Sequence, residues 1–250
     1  MEKQLYIKQL SPELYLMDEA HESTGYLVIG KDKACLIDTM NGYNDLHKTV
    51  REITDKPVIV INTHGHPDHI FGNVFFDRAF LHADDFALAQ SFCNDKKMPP
   101  FEPITQGDVI DLGGKHLEVY SLPGHTKGSI LLLLKEERIL FTGDAVNHHV
   151  WMQLEGCPSM TQFVKNLDQV MFLEKEADFI LHGHARKFDD ISLMHCVRQG
   201  ALEISEGDTL EDEIYPWFGG TAKQHHFKLE EGKQYSQLHS VICYNDVTVS

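Results

Sequence analysis

Six consecutive positions, His64 to His69, carry three imidazoles and a carboxylate in the order His-x-His-x-Asp-His, directly after the apolar run Pro57 to Ile61. An apolar, β-branched run of that length reads as a buried strand, and Gly65 and Pro67 break any ladder beyond it, which places the polar groups on a strand-end loop. Alternation along a strand would send neighbours to opposite faces, whereas a loop lets residues two and three apart converge. Imidazole and carboxylate are ligands that suit zinc and iron, so the segment is a metal site in outline. A surface loop with incidental histidines is the competing account. Histidine supplies 16 of the 250 residues, and at that frequency chance gives fewer than ~0.01 copies of the pattern in a chain this long.

Three more potential ligands stand in the same kind of place, after an apolar strand and beside glycine: His125 in Leu122-Pro123-Gly124-His125, Asp144 in Leu140-Phe141-Thr142-Gly143-Asp144, and His184 in Leu181-His182-Gly183-His184. Each alone is weak, because a lone strand-end His or Asp is more often a hydrogen-bonded structural residue. Four such places in order are strong.

The surrounding pattern alternates strands and helices. Short strands are expected at Gln4 to Ile7, Leu14 to Met17, Gly25 to Ile29 and Ala34 to Asp38, then a helix capped by Asn44 and another over Asp84 to Phe92. Strands return at Val109 to Leu112, His116 to Leu122, Ile130 to Leu134 and Arg138 to Phe141, turning at Gly113-Gly114 and Glu136-Glu137. Ser159 caps a helix to about Leu173, Asp178 to Leu181 is a strand, and Asp190 caps a helix to about Ile204. Beyond a polar stretch at Glu206 to Glu213, a final hairpin is expected from Phe227 to Leu229 and His239 to Tyr244 around Glu230 to Lys233. We therefore divide the chain into a catalytic domain, 1–205, and a C-terminal extension, 206–250, packed on it.

Composition removes several classes. The formal net charge is −16 and the basic residues form no stripe, which argues against nucleic acid. No basic-then-apolar leader and no run approaching about 18 apolar residues is present, so neither membrane attachment nor export is expected and the cytoplasm is the expected address. The five cysteines are scattered without a Cys-x-x-Cys pair, as for reduced core thiols.

With these motifs the chain resembles the metallo-beta-lactamase superfamily over roughly Tyr6 to Ile204. The resemblance implies an α/β fold, a four-layer αββα sandwich of two mixed sheets flanked by helices. It implies that His64, His66 and His125 hold one metal, that Asp68, His69 and His184 hold a second, and that Asp144 bridges them. Asp38, closing Leu36-Ile37-Asp38, sits where the family braces the metal loop; an ordinary turn Asp is the alternative. The cofactors expected are two divalent ions, zinc first, with iron or manganese as alternatives. The expected chemistry is hydrolysis of a small ester-like molecule (thioester, lactone, carboxylic ester or phosphodiester) by a metal-bridging hydroxide that Asp68 orients. The rival is a mononuclear iron oxygenase resembling the family's persulfide dioxygenases. Asp144 stands where secreted antibiotic-degrading members usually carry cysteine, so β-lactam cleavage is not expected. Asn147, His148, His149, Trp151 and Met152 follow the bridging position and are placed at the pocket mouth, with a solvated loop carrying incidental histidines as an equal alternative. His182 is open between a structural and a supporting role. The aromatic run Ile214 to Gly220 is first read as a homodimer contact and otherwise as a pocket cap.

Overall fold

The computed structural model describes residues 3–93 and 97–249. The chain opens as a meander in which β1 (Leu5–Ser11), β2 (Leu14–Glu19), β3 (Ser23–Ile29) and β4 (Ala34–Ile37) are each antiparallel to the next. Helix α1 (Leu46–Ile53) crosses over to β5 (Val58–Ile61), which lies parallel to β4. After the short helix α2 (Pro67–Ile70) come β6 (Ala79–Leu81), α3 (Phe86–Phe92) and β7 (Phe101–Pro103), and the parallel strands complete a seven-stranded sheet in sequential order.

The second sheet is built from β8 (Val109–Asp111), β9 (His116–Ser121), β10 (Ile130–Leu134) and β11 (Ile139–Gly143). The chain then gives β12 (His149–Trp151) to a third sheet, forms α4 (Met160–Val170) and returns with β13 (Phe179–His182), parallel to β11, and β14 (Asp189–Asp190). Helix α5 (Leu193–Glu206) precedes β15 (Glu213–Trp217), β16 (Gly220–His226) and β17 (Val241–Tyr244), which join β12 in the order β12-β17-β16-β15.

The cores explain the layering. In β10 every residue is buried: Ile130, Leu132 and Leu134 face the first sheet, among Leu16, Val28, Ile37 and Ile61, while Leu131 and Leu133 face α4 and α5. A strand covered on both faces loses alternation and reads as a continuous apolar run. The outer face of the first sheet packs Leu36 and Val60 against Leu46 and Val50 of α1. Helix, sheet, sheet and helix thus stack as expected, and both ends of the two inner sheets remain free to carry loops.

Two local expectations are corrected. Helix α1 is capped by Asp45, whose Oδ1 accepts from the Lys48 amide at 3.0 Å, and not by Asn44, whose side chain instead donates to Glu19 Oε1. The expected final pairing is present with β16 ending at His226, antiparallel to β17 and continued by the Phe227 amide donating to the Ser240 carbonyl, but it is preceded by an unexpected hairpin, β15–β16, turning at Phe218-Gly219. Gly220 sits at φ +130°, a backbone few L residues adopt; the aromatic residues around it masked the turn signal.

Candidate metal centre

Every predicted ligand lies at the carboxyl end of a strand or just beyond it. β5 delivers His64, fully buried, and His66 ends the loop as N-cap of α2, where Pro67 at the first helical position costs no hydrogen bond. Asp68 and His69 follow on that helix. The β9–β10 loop brings His125, β11 runs into Asp144, and β13 into His184.

The side chains form two adjoining groups. In the first, the His64, His66 and His125 rings lie within 4.6 to 4.9 Å of one another, centroid to centroid, and His66 Nδ1 faces His125 Nε2 at 2.8 Å. In the second, Asp144 Oδ2 is 3.1 Å from His184 Nε2 and 3.6 Å from His69 Nε2, and Asp68 Oδ2 is 3.5 Å from His69 Nε2. Asp144 Oδ2 is also 3.8 Å from His125 Nε2, so this carboxylate lies between the groups.

The tautomers are set from outside. His69 Nδ1 donates to Asp38 Oδ2 at 2.9 Å, His125 Nδ1 to the Trp151 carbonyl at 2.8 Å and His184 Nδ1 to the Glu22 carbonyl at 2.7 Å. Thr63 Oγ1, which itself donates to Asp38, accepts from His64 Nδ1 at 3.1 Å. Four rings, those of His64, His69, His125 and His184, therefore turn Nε2 inward, the arrangement that metal-binding imidazoles take when a carboxylate or carbonyl holds the other nitrogen.

His64 Nε2, His69 Nε2 and Asp144 Oδ1 are buried without a hydrogen-bond partner in the protein. Buried polar atoms are rarely left so, and three converging ones of this donor type fit divalent cations. Electrostatics agree. Burial, followed by the neighbouring imidazoles, pushes His64 well below its usual pKa, so its ring stays neutral. At Asp144 burial would raise the pKa, but His184 and His69 outweigh it and keep the carboxyl ionised.

Supporting residues divide into expected and missed. Asp38, 1% exposed, accepts from the Thr63 amide at 2.7 Å as well as from Thr63 Oγ1 and His69. Asp85 is new: its carboxylate accepts from Gly65 N, Gly128 N and Thr126 Oγ1 at 2.7 to 2.8 Å, pinning the His64–His69 loop to the His125 loop. Asp189 is also new. Its Oδ1 accepts from His148 Nε2 at 3.0 Å and its Oδ2 faces His182 Nε2 at 3.3 Å, while His182 Nδ1 accepts from the His184 amide. Met152 is buried in the core, whereas Asn147, His148, His149 and Trp151 line the same cleft as His66, Asp68, His125, Asp144 and His184.

The metallo-beta-lactamase superfamily model matches residues 20–85 and 81–184, a span that contains every one of these ligands. The chain belongs to the metallo-beta-lactamase superfamily. As a member it is by class a metal-dependent hydrolase. It is 25% identical over 223 residues to the acyl-coenzyme A thioesterase MBLAC2 of Gallus gallus, covering 72% of this chain and 80% of that one. It is 29% identical over 91 residues to the hydroxyacylglutathione hydrolase of Mesorhizobium japonicum, covering 36% of this chain and 34% of that one. Among solved structures, a metallo-beta-lactamase from Pontibacter korlensis superposes with a TM-score of 0.64 at 22% identity, covering 80% of this chain and 99% of that one, which shows the fold. The third sheet's β15, β16 and β17 lie beyond the stretch that the superfamily model matches. No helix among the described residues is long and apolar enough to cross a membrane.

Proposed function

We propose that the chain is a dinuclear thioester hydrolase. The observation that carries the reading is the pair of adjoining donor sets: His64, His66 and His125 would hold one ion, Asp68, His69 and His184 the other, and Asp144 would bridge them. Zinc is the first candidate. Two divalent ions held there supply an ionised water at neutral pH and polarise the acyl oxygen.

The protein's own groups then have defined tasks. Asp38, Trp151 and Glu22 keep the imidazoles aimed through their Nδ1 atoms. Asp68, half-buried beside His69, stays a carboxylate because His69 outweighs the effect of burial, so its oxygens can orient a water and accept its proton. In the overall reaction the water oxygen bonds to the carbonyl carbon, the carbon–sulfur bond breaks, and a proton passes to the departing thiolate.

The thioester class comes from the two named relatives, both thioester hydrolases, and from the Asp at position 144. A panel of thioesters, lactones, carboxylic esters and phosphodiesters tests it, with released thiol read directly. Metal-dependent turnover led by thioesters is expected; turnover confined to another class overturns the substrate assignment.

A further inference from the structure

The cleft over the metal ligands has a volume of about 780 Å³ and two apolar walls. One comes from the third sheet. The Trp151 ring on β12 lies 5.8 Å, centroid to centroid, from both Trp217 and Phe218 at the β15–β16 turn, and those two rings are 4.9 Å apart. A Cβ on Gly219 would fall 2.2 Å from Trp217 Cη2, so glycine at that position lets the indole lie against the turn. The other apolar lining is Leu88 and Phe92 of α3.

Both walls begin at metal ligands. Phe92 meets the His66 ring edge-on at 6.1 Å, and the Trp151 carbonyl accepts from His125 Nδ1. The slot therefore opens onto the His64–His66–His125 side of the site. Phe218 is 89% exposed and Phe92 42%, an unusual state for two phenylalanines facing one cleft unless something apolar covers them. Among the described residues lining the cleft there is no Lys or Arg, while Asp68, Asp144 and Glu155 are there. Phosphate or carboxylate groups would gain no cation inside the slot, whereas a hydrocarbon chain would bury aromatic surface along its length.

We propose that Trp151, Trp217 and Phe218, together with Leu88 and Phe92, form a recognition site for the apolar acyl chain of the substrate, with its carbonyl at the His66–His125 end. This deepens the thioester reading and rests on it. The C-terminal sheet thereby sets acyl-chain preference, and any polyanionic portion of the thiol stays outside the slot.

The chain's two tryptophans, Trp151 and Trp217, are both in this wall, so intrinsic emission reports its occupancy without turnover. The probes are 2-oxoalkyl thioethers of N-acetylcysteamine, uncleavable isosteres of the butyryl to octanoyl thioesters, titrated into metal-loaded protein. Each added methylene can tighten binding up to about fourfold, so the dissociation constant should fall about tenfold or more across the series. Phe218→Ala, and Gly219→Ala, which displaces the indole without deleting a ring, should each cut that ratio to about threefold or less. A wild-type constant independent of chain length overturns the proposal. So does an unchanged ratio in Phe218→Ala, including the case in which that variant alters only the sedimentation mass and so marks a self-association contact. Failure of the two readings is distinguishable: a steep ratio without thioester turnover supports the slot and removes the thioester assignment, whereas thioester turnover with a flat ratio does the reverse.

Discussion

Asp38 Oδ2 lies 2.9 Å from His69 Nδ1, and both side chains are closed to solvent. The same carboxylate takes the Thr63 amide, so one residue fixes the start of the metal loop and the ring three positions beyond its second ligand. Asp38→Asn presents an amide where His69 needs an acceptor. Affinity of the Asp68–His69–Asp144–His184 set should drop about 10- to 100-fold, read by metal titration; equal affinity in the variant would show that the ring is held by packing alone.

Gly183 tests the shared corner of the site. A Cβ there would lie 2.4 Å from Asp144 Oδ1 and 2.5 Å from His69 Cε1, and neither side chain can move without giving up its ligand position. Gly183→Ala is expected to keep its secondary structure by circular dichroism, because the close contacts fall on two side chains and not on backbone, yet to lose the metal of the second set. Full metal content in that variant would contradict the geometry.

Asp85 carries a stability prediction. Removing its carboxylate leaves the Gly65 and Gly128 amides and the Thr126 hydroxyl without their acceptor, and an unsatisfied buried donor costs about 1 to 3 kcal/mol. Asp85→Ala should lower unfolding free energy by roughly 3 kcal/mol or more, measured in denaturant on metal-free protein. A loss near zero would mean that the two loops hold together without it.

The two donor sets should differ in pH response. Burial alone would lower the His69 and His184 pKa values, but the facing carboxylates, Asp68 and Asp144 at His69 and Asp144 at His184, outweigh it and raise both. His64 and His66 are lowered, by burial first. A raised pKa means a proton that a metal must displace, so occupancy of the second set should weaken as pH falls from about 8 to about 6 while the first set changes less. Calorimetric titration in buffers of different ionisation enthalpy counts the released protons. Parallel loss at both sets would refute the assignment.

Asp68→Asn keeps a metal-binding oxygen and removes the group that accepts a proton. Turnover should fall about 100-fold or more with most of the metal retained. Undiminished turnover would leave Asp68 as a ligand only.

The residues that converge in the two donor sets were legible because their types are uncommon and stand at strand ends, beside glycines that need no partner to be recognised. The bracing residue Asp38 was legible for the same reason. Asp85 was hidden: in sequence, Asp84-Asp85 before Phe86 is an ordinary helix start, and its donors Thr126 and Gly128 lie some forty residues on. The third sheet was hidden too. Strand β12 is three residues long and gains its ladder only from β17, about ninety residues later, so the segment after Asp144 read as a loop. The aromatic run at Trp217 was open between a homodimer contact and a pocket cap, and the pairing of Trp217 with Gly220 places it at the cleft.

Metal content per chain, measured by mass spectrometry on protein purified without added metal, decides between two bridged ions and one. About two divalent ions per chain, zinc foremost, are expected, with a lower thermal midpoint after chelation. A single iron per chain with no second ion taken up would contradict the dinuclear site and redirect the chemistry to oxygen-dependent reactions.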